Sequence, residues 1–199
     1  MDQLSLFPNE GYDFPEELVE FHEEYLSRGE ADYLLDLLME NTPWQQTRQV
    51  MYDKTVLTPR LTAWYGDHKA YKLGNKAIDA NPWLPELAEL RNRIEEQFGY
   101  HFNSVLLNLY RDHNDSVAWH RDRESELGNR PVIASLSLGQ LRNFDFRNVL
   151  DHSKKYSIPL SHGSLLFMKG KLQEEWEHRI AKSTRTMKPR INLTFRLIV

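Results

Sequence analysis

The C-terminal segment of this chain alternates strictly between polar and apolar side chains. In Arg190-Ile-Asn-Leu-Thr-Phe-Arg-Leu197 the even positions are polar and the odd positions are apolar. Because successive side chains of a β-strand point to opposite faces, the pattern predicts a strand with one polar and one apolar face. The simplest interpretation is a strand with one side in the core and the other in water.

A second segment, from Ser104 to Tyr110, repeats the pattern. Leu106, Asn108 and Tyr110 alternate there with Val105, Leu107 and Leu109. One polar strand face means little, but two of them indicate a polar interior, such as the mouth of a barrel. Paired guanidiniums, an amide and a phenol at such a mouth would bind a small anion.

Two helices are predicted before these strands. Ser27-Arg-Gly-Glu30 is a capping box, and the apolar spacing beyond it predicts a helix that stops at Asn41-Thr-Pro43. A second helix is predicted after Pro85, with Gly99 at its end. Short segments rich in branched and aromatic residues follow at 103–110, 131–138, 143–147, 156–160, 164–168 and 190–198. Two helices followed by many short strands indicate an α+β protein whose C-terminal half is a β-sandwich or small barrel.

The size and composition of the chain limit its class. At 199 residues with 40% hydrophobic residues, we expect a loosely ordered segment over residues 1–15 and a single domain over 16–199. There is no cysteine, so any metal must be bound by histidine and carboxylate side chains. No apolar run approaches the roughly 20 residues of a membrane span, and the acidic start does not resemble a signal peptide. We expect a soluble cytoplasmic protein, monomeric and without a membrane partner.

Charge is distributed unevenly along the chain. The net charge is −4, yet the first 30 residues contain nine acidic residues and one basic residue, so the remainder is net basic. Six lysine and arginine residues follow His178 with no acid among them. Both a basic face that makes modest phosphate contacts and an ordinary solvated surface are compatible with this distribution.

The segment Val117-Ala-Trp-His-Arg-Asp122 carries the strongest candidate metal ligands. If His120 and Asp122 lie on an extended strand end, they point the same way and can share one metal. With a second imidazole they would form the two-histidine, one-carboxylate site of non-haem iron(II) oxygenases. A histidine merely packed against the preceding tryptophan is the alternative. The same spacing recurs at His113 and Asp115, where turn-forming neighbours predict a solvated loop instead.

Six segments of the chain occur in a characteristic order. They are Pro59-Arg-Leu-Thr-Ala-Trp-Tyr-Gly66, Phe102-Asn-Ser-Val-Leu-Leu-Asn-Leu-Tyr-Arg111, Trp119-His-Arg-Asp-Arg-Glu124, Pro131-Val-Ile-Ala-Ser-Leu-Ser-Leu-Gly139, His162-Gly-Ser-Leu-Leu166 and Pro189-Arg-Ile-Asn-Leu-Thr-Phe-Arg196. Together they resemble motifs of the AlkB family of iron(II)- and 2-oxoglutarate-dependent nucleic-acid dealkylases, from about residue 16 to the end. The resemblance implies a double-stranded β-helix, or jelly roll, with supporting helices and an N-terminal nucleotide-recognition lid.

The resemblance also implies roles for individual residues. The iron(II) ligands would be His120, Asp122 and His178. The residues that bind 2-oxoglutarate would be Asn108, Tyr110, Arg190, Asn192 and Arg196, and which arginine binds which carboxylate stays open. The methylated base would contact Trp64, Tyr71 and Glu124, with His120 as the opposing ring, because aromatic faces and a carboxylate attract a cationic ring.

By the same resemblance the chain is expected to be a dioxygenase of DNA repair. With iron(II), dioxygen and 2-oxoglutarate it would demethylate 1-methyladenine or 3-methylcytosine in DNA, or in RNA, and release formaldehyde, succinate and carbon dioxide. The target base would be flipped out of its stack. The alternatives are an iron- and 2-oxoglutarate-dependent hydroxylase of a protein or small molecule, and a catalytically silent nucleic-acid-binding jelly roll. Arg123 stands where many relatives have an acidic or polar residue, so the preferred lesion and strand context stay open.

Overall fold

The computed structural model of the protein describes residues 16–51, 54–67, 70–73 and 76–199, with the backbone alone for 16, 49–51, 54–55, 70–73 and 76–78. The segment 1–15, which the sequence predicts to be loosely ordered, lies outside the described residues. The helices are α1 (Arg28–Asn41), α2 (Pro85–Phe98) and α3 (Leu172–Glu175), and single 3-10 turns lie at Glu16–Leu18 and Ser125–Leu127. The strands are β1 (Val19–His22), β2 (Arg48–Met51), β3 (Lys54–Leu57), β4 (Leu61–Gly66), β5 (Ala70–Leu73), β6 (Lys76–Asp79), β7 (Ser104–Tyr110), β8 (Val117–His120), β9 (Ile133–Gly139), β10 (Arg142–Asn148), β11 (Lys155–Leu160), β12 (Leu165–Met168), β13 (Trp176–Ile180) and β14 (Arg190–Arg196).

Most of these strands form two antiparallel sheets. The larger sheet has six strands in the order β1-β12-β9-β14-β7-β4, and the smaller has four in the order β11-β10-β13-β8. The hairpins β2-β3 and β5-β6 pair separately from both sheets. The two sheets form a jelly roll, so the predicted α+β fold with a double-stranded β-helix is confirmed. Each of the six predicted strand segments is present, with ends that differ by two residues or fewer.

Helices α1 and α2 cover the outer face of the larger sheet. The predicted capping box starts α1: the Glu30 backbone N–H donates to Ser27 Oγ at 3.3 Å, and the Ser27 backbone N–H donates to Glu30 Oε2 at 2.9 Å. Gly99 ends α2 in the left-handed conformation with φ 73°, which glycine adopts without strain. Apolar residues of both helices, including Leu38 and Ile94, belong to one buried cluster with alternate residues of β7 and β14.

Strand β14 is buried on both faces. All seven of its residues are buried, although its sequence pattern would also suit a strand with one face in water. The apolar face, with Leu193 and Phe195, packs in the cluster beneath the helices, while Arg190 and Arg196 line a cavity on the other side. The predicted polar interior is therefore confirmed, because the helices cover one face of the strand and the smaller sheet covers the other.

Gly139 ends β9 opposite Arg190 and has a φ of 87°. A Cβ there would lie 2.5 Å from the Pro189 carbonyl oxygen. We expect Gly139→Ala to lower the free energy of unfolding by at least about 1–3 kcal/mol, the cost of strained backbone of this kind, and the clash adds to that cost. Denaturant titration measures the loss. Gly29→Ala is the control, since a Cβ at Gly29 meets nothing within 4 Å, and equal stability of the two variants would contradict the prediction.

Candidate active site

A cavity of about 220 Å³ lies between the two sheets. Polar side chains from β7, β9 and β14 of the larger sheet face residues from β8, β10 and β13 of the smaller sheet. The predicted site residues that line it are Asn108, Tyr110, His120, Asp122, Glu124, His178, Arg190, Asn192 and Arg196. The fold thus gathers residues separated by up to 88 positions into one enclosed polar site.

The three predicted metal ligands converge within this cavity. His120 is the last residue of β8 and pairs across the sheet with His178 of β13, so their ring centroids lie 4.3 Å apart. Asp122 follows beyond the strand end, and its Oδ1 lies 4.0 Å from His120 Nε2. One ligand atom from each residue lies within 4.8 Å of the other two. Two imidazoles and one carboxylate at this spacing suit iron(II) and leave coordination positions open.

Hydrogen bonding and burial hold these groups in the state that a metal needs. His120 Nδ1 lies 2.9 Å from the Ala118 carbonyl oxygen, so Nδ1 carries a proton and donates it, and Nε2 is the ring nitrogen that can bind a metal. Burial, together with the neighbouring His120, lowers the pKa of His178 to about 3. Burial alone would raise the pKa of Asp122, but the Arg196 guanidinium lowers it to about 2. At neutral pH the cavity therefore holds an uncharged His178 and an ionised Asp122, the forms that bind metals.

Arg190 brings an unneutralised positive charge into the same cavity. Its side chain is 1% exposed, and Nη2 donates to Ser137 Oγ at 2.9 Å. Its Nε and Nη1 have no hydrogen-bond partner among the described residues. The guanidinium carbon lies 5.2 Å from the centre of the Tyr110 ring, and burial lowers the pKa of Arg190 to about 10. A buried guanidinium with two unbonded nitrogens is costly unless an anion binds to it, so this end of the cavity suits a carboxylate.

The two amides of the polar faces differ in what they can still bind. Asn108 Oδ1 accepts a hydrogen bond of 2.9 Å from Arg60 Nε. The amide nitrogen of Asn108 is therefore the atom that can donate a hydrogen bond to a ligand. Asn192 Nδ2 already donates to Ser135 Oγ at 2.7 Å and to the Leu136 carbonyl oxygen at 3.1 Å. Contact of Asn192 with 2-oxoglutarate therefore stays a prediction. Arg60 also lines the cavity, and sequence reasoning missed it although it lies in the quoted Pro59–Gly66 motif.

The second arginine of β14 pairs with the carboxylate of the metal cluster. Arg196 Nη2 lies 3.1 Å from Asp122 Oδ2, and both side chains are almost fully buried. Its Nε has no hydrogen-bond partner among the described residues. The guanidinium carbon is 6.0 Å from the centre of the Trp64 ring. Arg196 therefore lies between the metal ligands and the indole, and its Nε is still available to donate to a ligand.

The predicted base-contacting residues have different settings. Glu124 lines the cavity, and its Oε2 is buried with no hydrogen-bond partner among the described residues. Trp64 is 6% exposed and lies in β4. Its partner across the sheet is Leu106 of β7, and Leu106 lines the cavity. Tyr71 belongs to β5, but its side chain lies outside the described residues, so its predicted role is untested. Arg123 is exposed.

The competing His-x-Asp motif lies in a loop, as predicted, but the prediction that this loop is solvated is wrong for Asp115. Turn-forming neighbours predict a solvated loop, yet Asp115 is 3% exposed and accepts from Arg111 Nε at 2.8 Å and from Arg111 Nη2 at 2.9 Å. Buried Arg142 also donates to the Asp115 backbone carbonyl oxygen at 3.0 Å. The aspartate anchors the loop instead of remaining in water, and it lies outside the metal cluster.

The basic tail does not form one continuous face. Of the six basic residues after His178, Arg190 and Arg196 lie inside the cavity, and Arg179 Nε donates to Asp145 Oδ2 at 2.9 Å. The remaining three, Lys182, Arg185 and Lys188, are exposed. Among the described residues, every helix is too short or too polar to cross a membrane.

Comparison with known proteins places these residues in a family context. The model of the 2OG-Fe(II) oxygenase superfamily matches residues 19–196. Human "Alpha-ketoglutarate-dependent dioxygenase alkB homolog 3" is 44% identical over 178 residues, which are 85% of this chain and 62% of that protein. Human "DNA oxidative demethylase ALKBH2" is 34% identical over 183 residues, which are 86% of this chain and 70% of that protein. The chain thus spans less than two thirds of the length of the alkB homolog 3 relative.

Solved structures support the fold. "The structure of OsALKBH1" superposes with a TM-score of 0.64 at 16% identity and covers 90% of this chain and 97% of that one. A Burkholderia pseudomallei oxidoreductase of the 2OG-Fe(II) oxygenase family superposes with a TM-score of 0.60 at 14% identity, over 91% of this chain and 85% of that one. At these identities the likeness concerns the fold alone.

Proposed function

The chain belongs to the 2OG-Fe(II) oxygenase superfamily and, within it, to the AlkB family, and from that premise we propose that it oxidatively removes N-linked methyl groups from bases of DNA, or of RNA. The single observation that carries the proposal is that one cavity contains both a cluster suited to iron(II) and a buried arginine, two of whose nitrogens have no hydrogen-bond partner among the described residues. A silent binding module would need neither.

In this proposal His120, Asp122 and His178 hold iron(II), and Arg190 binds the far carboxylate of 2-oxoglutarate. Arg196 lies beside Asp122, so its unpartnered Nε is near enough to the metal ligands to orient the carboxylate that would bind the iron. The amide nitrogen of Asn108 and the phenol of Tyr110 supply further donors. Bound iron(II), with dioxygen and 2-oxoglutarate, supplies the oxidation that turns an N-methyl group into a hydroxymethyl group, which leaves as formaldehyde while succinate and carbon dioxide form.

The substrate end of the cavity favours a cationic base. Glu124 presents a buried carboxylate oxygen without a hydrogen-bond partner among the described residues, and a positively charged ring would satisfy it. The rings of 1-methyladenine and 3-methylcytosine carry such a charge, and their methyl groups block pairing, which lowers the cost of flipping the base into the site. We assign Trp64, which lies in β4 of the larger sheet, and Tyr71, which belongs to the hairpin β5-β6, to the aromatic walls around the base. The lid over the base would include the hairpins β2-β3 and β5-β6.

The test is incubation with single- and double-stranded DNA and RNA oligonucleotides that each carry one methylated base, followed by mass spectrometry and formaldehyde detection. We expect loss of 14 mass units per methyl group, about one formaldehyde for each succinate, and no reaction without iron(II). If 2-oxoglutarate is consumed while no oligonucleotide loses its methyl group, the proposed action on nucleic-acid bases fails, and a hydroxylase of a protein or small molecule is the alternative that stands. If 2-oxoglutarate is not consumed either, the dioxygenase proposal fails.

Glu124→Gln should separate recognition of the base from the iron chemistry. We expect kcat/KM for 3-methylcytosine to fall by about 10-fold to 100-fold, because hydrogen bonds to charged groups contribute about 1.5–3 kcal/mol. The uncharged lesion 3-methylthymine and the slow 2-oxoglutarate turnover without substrate should change much less. Steady-state kinetics on the two lesions measure how far kcat/KM falls for each of them in the variant relative to wild type. Equal losses on both lesions would argue against recognition of charge by Glu124.

We also propose that residues 16–199 act as one monomeric catalytic unit, since the matched family model spans 19–196. Light scattering coupled to size-exclusion chromatography should give the mass of one chain. A stable dimer would contradict this proposal without affecting the assignment of the site.

A further inference from the structure

We propose that Gln173 is a positioning residue for Asp122, and this inference rests on the proposed function, in which Asp122 is an iron ligand. Gln173 lies in the four-residue helix α3 and is 3% exposed. Its Oε1 accepts a hydrogen bond of 2.9 Å from the backbone N–H of Asp122, 51 positions earlier in the chain. Its Nε2 donates to Met168 Sδ at 3.7 Å.

Asp122 needs such a partner because of where it sits. Strand β8 ends at His120, so the backbone of Asp122 lies beyond the last ladder pair between β8 and β13. The residue itself is buried, and a buried backbone N–H without an acceptor is rare and destabilising. The Gln173 side chain takes the place of a neighbouring strand at this point. Arg121 Nη1, which donates to the Glu174 carbonyl oxygen at 3.2 Å, adds a second link to the same helix.

The position of α3 gives this bond its significance for the metal. The helix leads directly into β13, which carries His178. One short segment therefore supplies a metal ligand and also holds the backbone of another. Asp122 is fixed at both ends, because its carboxylate pairs with Arg196 and its N–H bonds Gln173. Groups that orient metal ligands in this way tune metal affinity strongly.

The chemistry of the glutamine suits the task. The backbone N–H of Asp122 can only donate, so it requires the amide oxygen of Gln173. The thioether of Met168 can only accept, and weakly, so it receives the amide nitrogen. The two neighbours together fix which end of the amide faces Asp122. Methionine at this position would keep the length and remove the acceptor. Glutamate would keep the acceptor, although it would bury a charge that the wild-type protein does not bury.

The experiment is titration of the full chain with Co(II) alone, followed by visible absorption, together with thermal denaturation of the metal-free protein. We expect Gln173→Met to bind Co(II) about 10-fold to 100-fold more weakly than wild type, as other residues that orient metal ligands do. Gln173→Glu should bind Co(II) with an affinity closer to wild type even though its buried carboxylate makes the metal-free protein less stable. Ser164→Ala removes a partly buried hydrogen bond of 2.8 Å to the Ser161 carbonyl oxygen, outside the cavity, and should leave Co(II) affinity unchanged.

A structural role alone predicts a different order, in which the Co(II) affinity of the three variants follows their stability. That result, or wild-type affinity in Gln173→Met, would overturn the inference while leaving the proposed function intact. Failure of the wild-type protein to bind Co(II) would instead overturn the proposed function and this inference with it.

Discussion

The Asp122→Ala variant is expected to lose iron(II) binding and turnover. Iron(II) affinity and turnover should each fall by more than about 100-fold, because residues that only orient a metal ligand already change them by up to about 100-fold. Asp122 supplies the negative charge of the cluster, and without it two imidazoles would face the Arg196 guanidinium. Anaerobic addition of iron(II) and 2-oxoglutarate should give a weak visible charge-transfer band in wild type and none in the variant.

Asp115→Ala is a matched control for this experiment. Asp115 is also a buried aspartate two residues after a histidine, and it also pairs with an arginine, Arg111. Removal of either carboxylate leaves an arginine without its partner, so both variants should lose stability. Breaking a buried ion pair costs about 3–5 kcal/mol. The loss should be smaller in Asp115→Ala, because Arg111 is partly exposed. Only Asp122→Ala should lose the band. Loss of the band in both variants, or in neither, would contradict the assignment of the ligands.

Arg190→Met should have opposite effects on ligand binding and on stability. We expect the KM for 2-oxoglutarate to rise by roughly 30-fold to 5000-fold, because loss of one partner of a buried charge pair costs about 2–5 kcal/mol. Co(II) alone should still bind, since Arg190 bonds Ser137 and not the metal cluster. The ligand-free variant should melt at a higher temperature than wild type, because it no longer buries a guanidinium with two nitrogens that lack a hydrogen-bond partner within the described part of the chain. Thermal denaturation with and without 2-oxoglutarate measures both effects.

Arg142→Met is the control for this prediction. Arg142 is another buried arginine, at 5.7 Å from the same Tyr110 ring, but its guanidinium donates to three backbone carbonyl oxygens, those of Asp112, Asp115 and Ala181. Its removal should lower the melting temperature and leave carboxylate binding in place. If Arg190→Met also lowers the melting temperature while 2-oxoglutarate binds normally, Arg190 serves the fold and not the co-substrate.

Local patterns predicted those parts of the protein whose causes are local. The capping box at Ser27, the left-handed end of α2 at Gly99 and the alternation of β14 all follow from short-range geometry, and all are present. His178 illustrates the limit. Apart from the family resemblance, nothing near it in sequence distinguishes it from a surface histidine, and it lies beside His120 because β13 pairs with β8.

Two further residues show why the rest could not be predicted. Asp115 stands among turn-forming residues, but an arginine four residues earlier reaches it and Arg142 arrives from another strand, so tertiary contacts override the local expectation. Gln173 stands in Leu-Gln-Glu-Glu, which is typical of an exposed helical turn. Its burial and its bond to Asp122 depend on how α3 packs against a loop 51 residues away.

The placement of the two histidines on neighbouring strands also bears on self-association. Strand β8 is only four residues long and stands at the edge of the smaller sheet, where unpaired backbone groups can template pairing with another chain. A metal bound by both His120 and His178 would hold β8 against its neighbour β13. Iron starvation or chelation should therefore speed amide hydrogen exchange in β8 and make the metal-free protein more prone to aggregate, before any other part of the jelly roll opens.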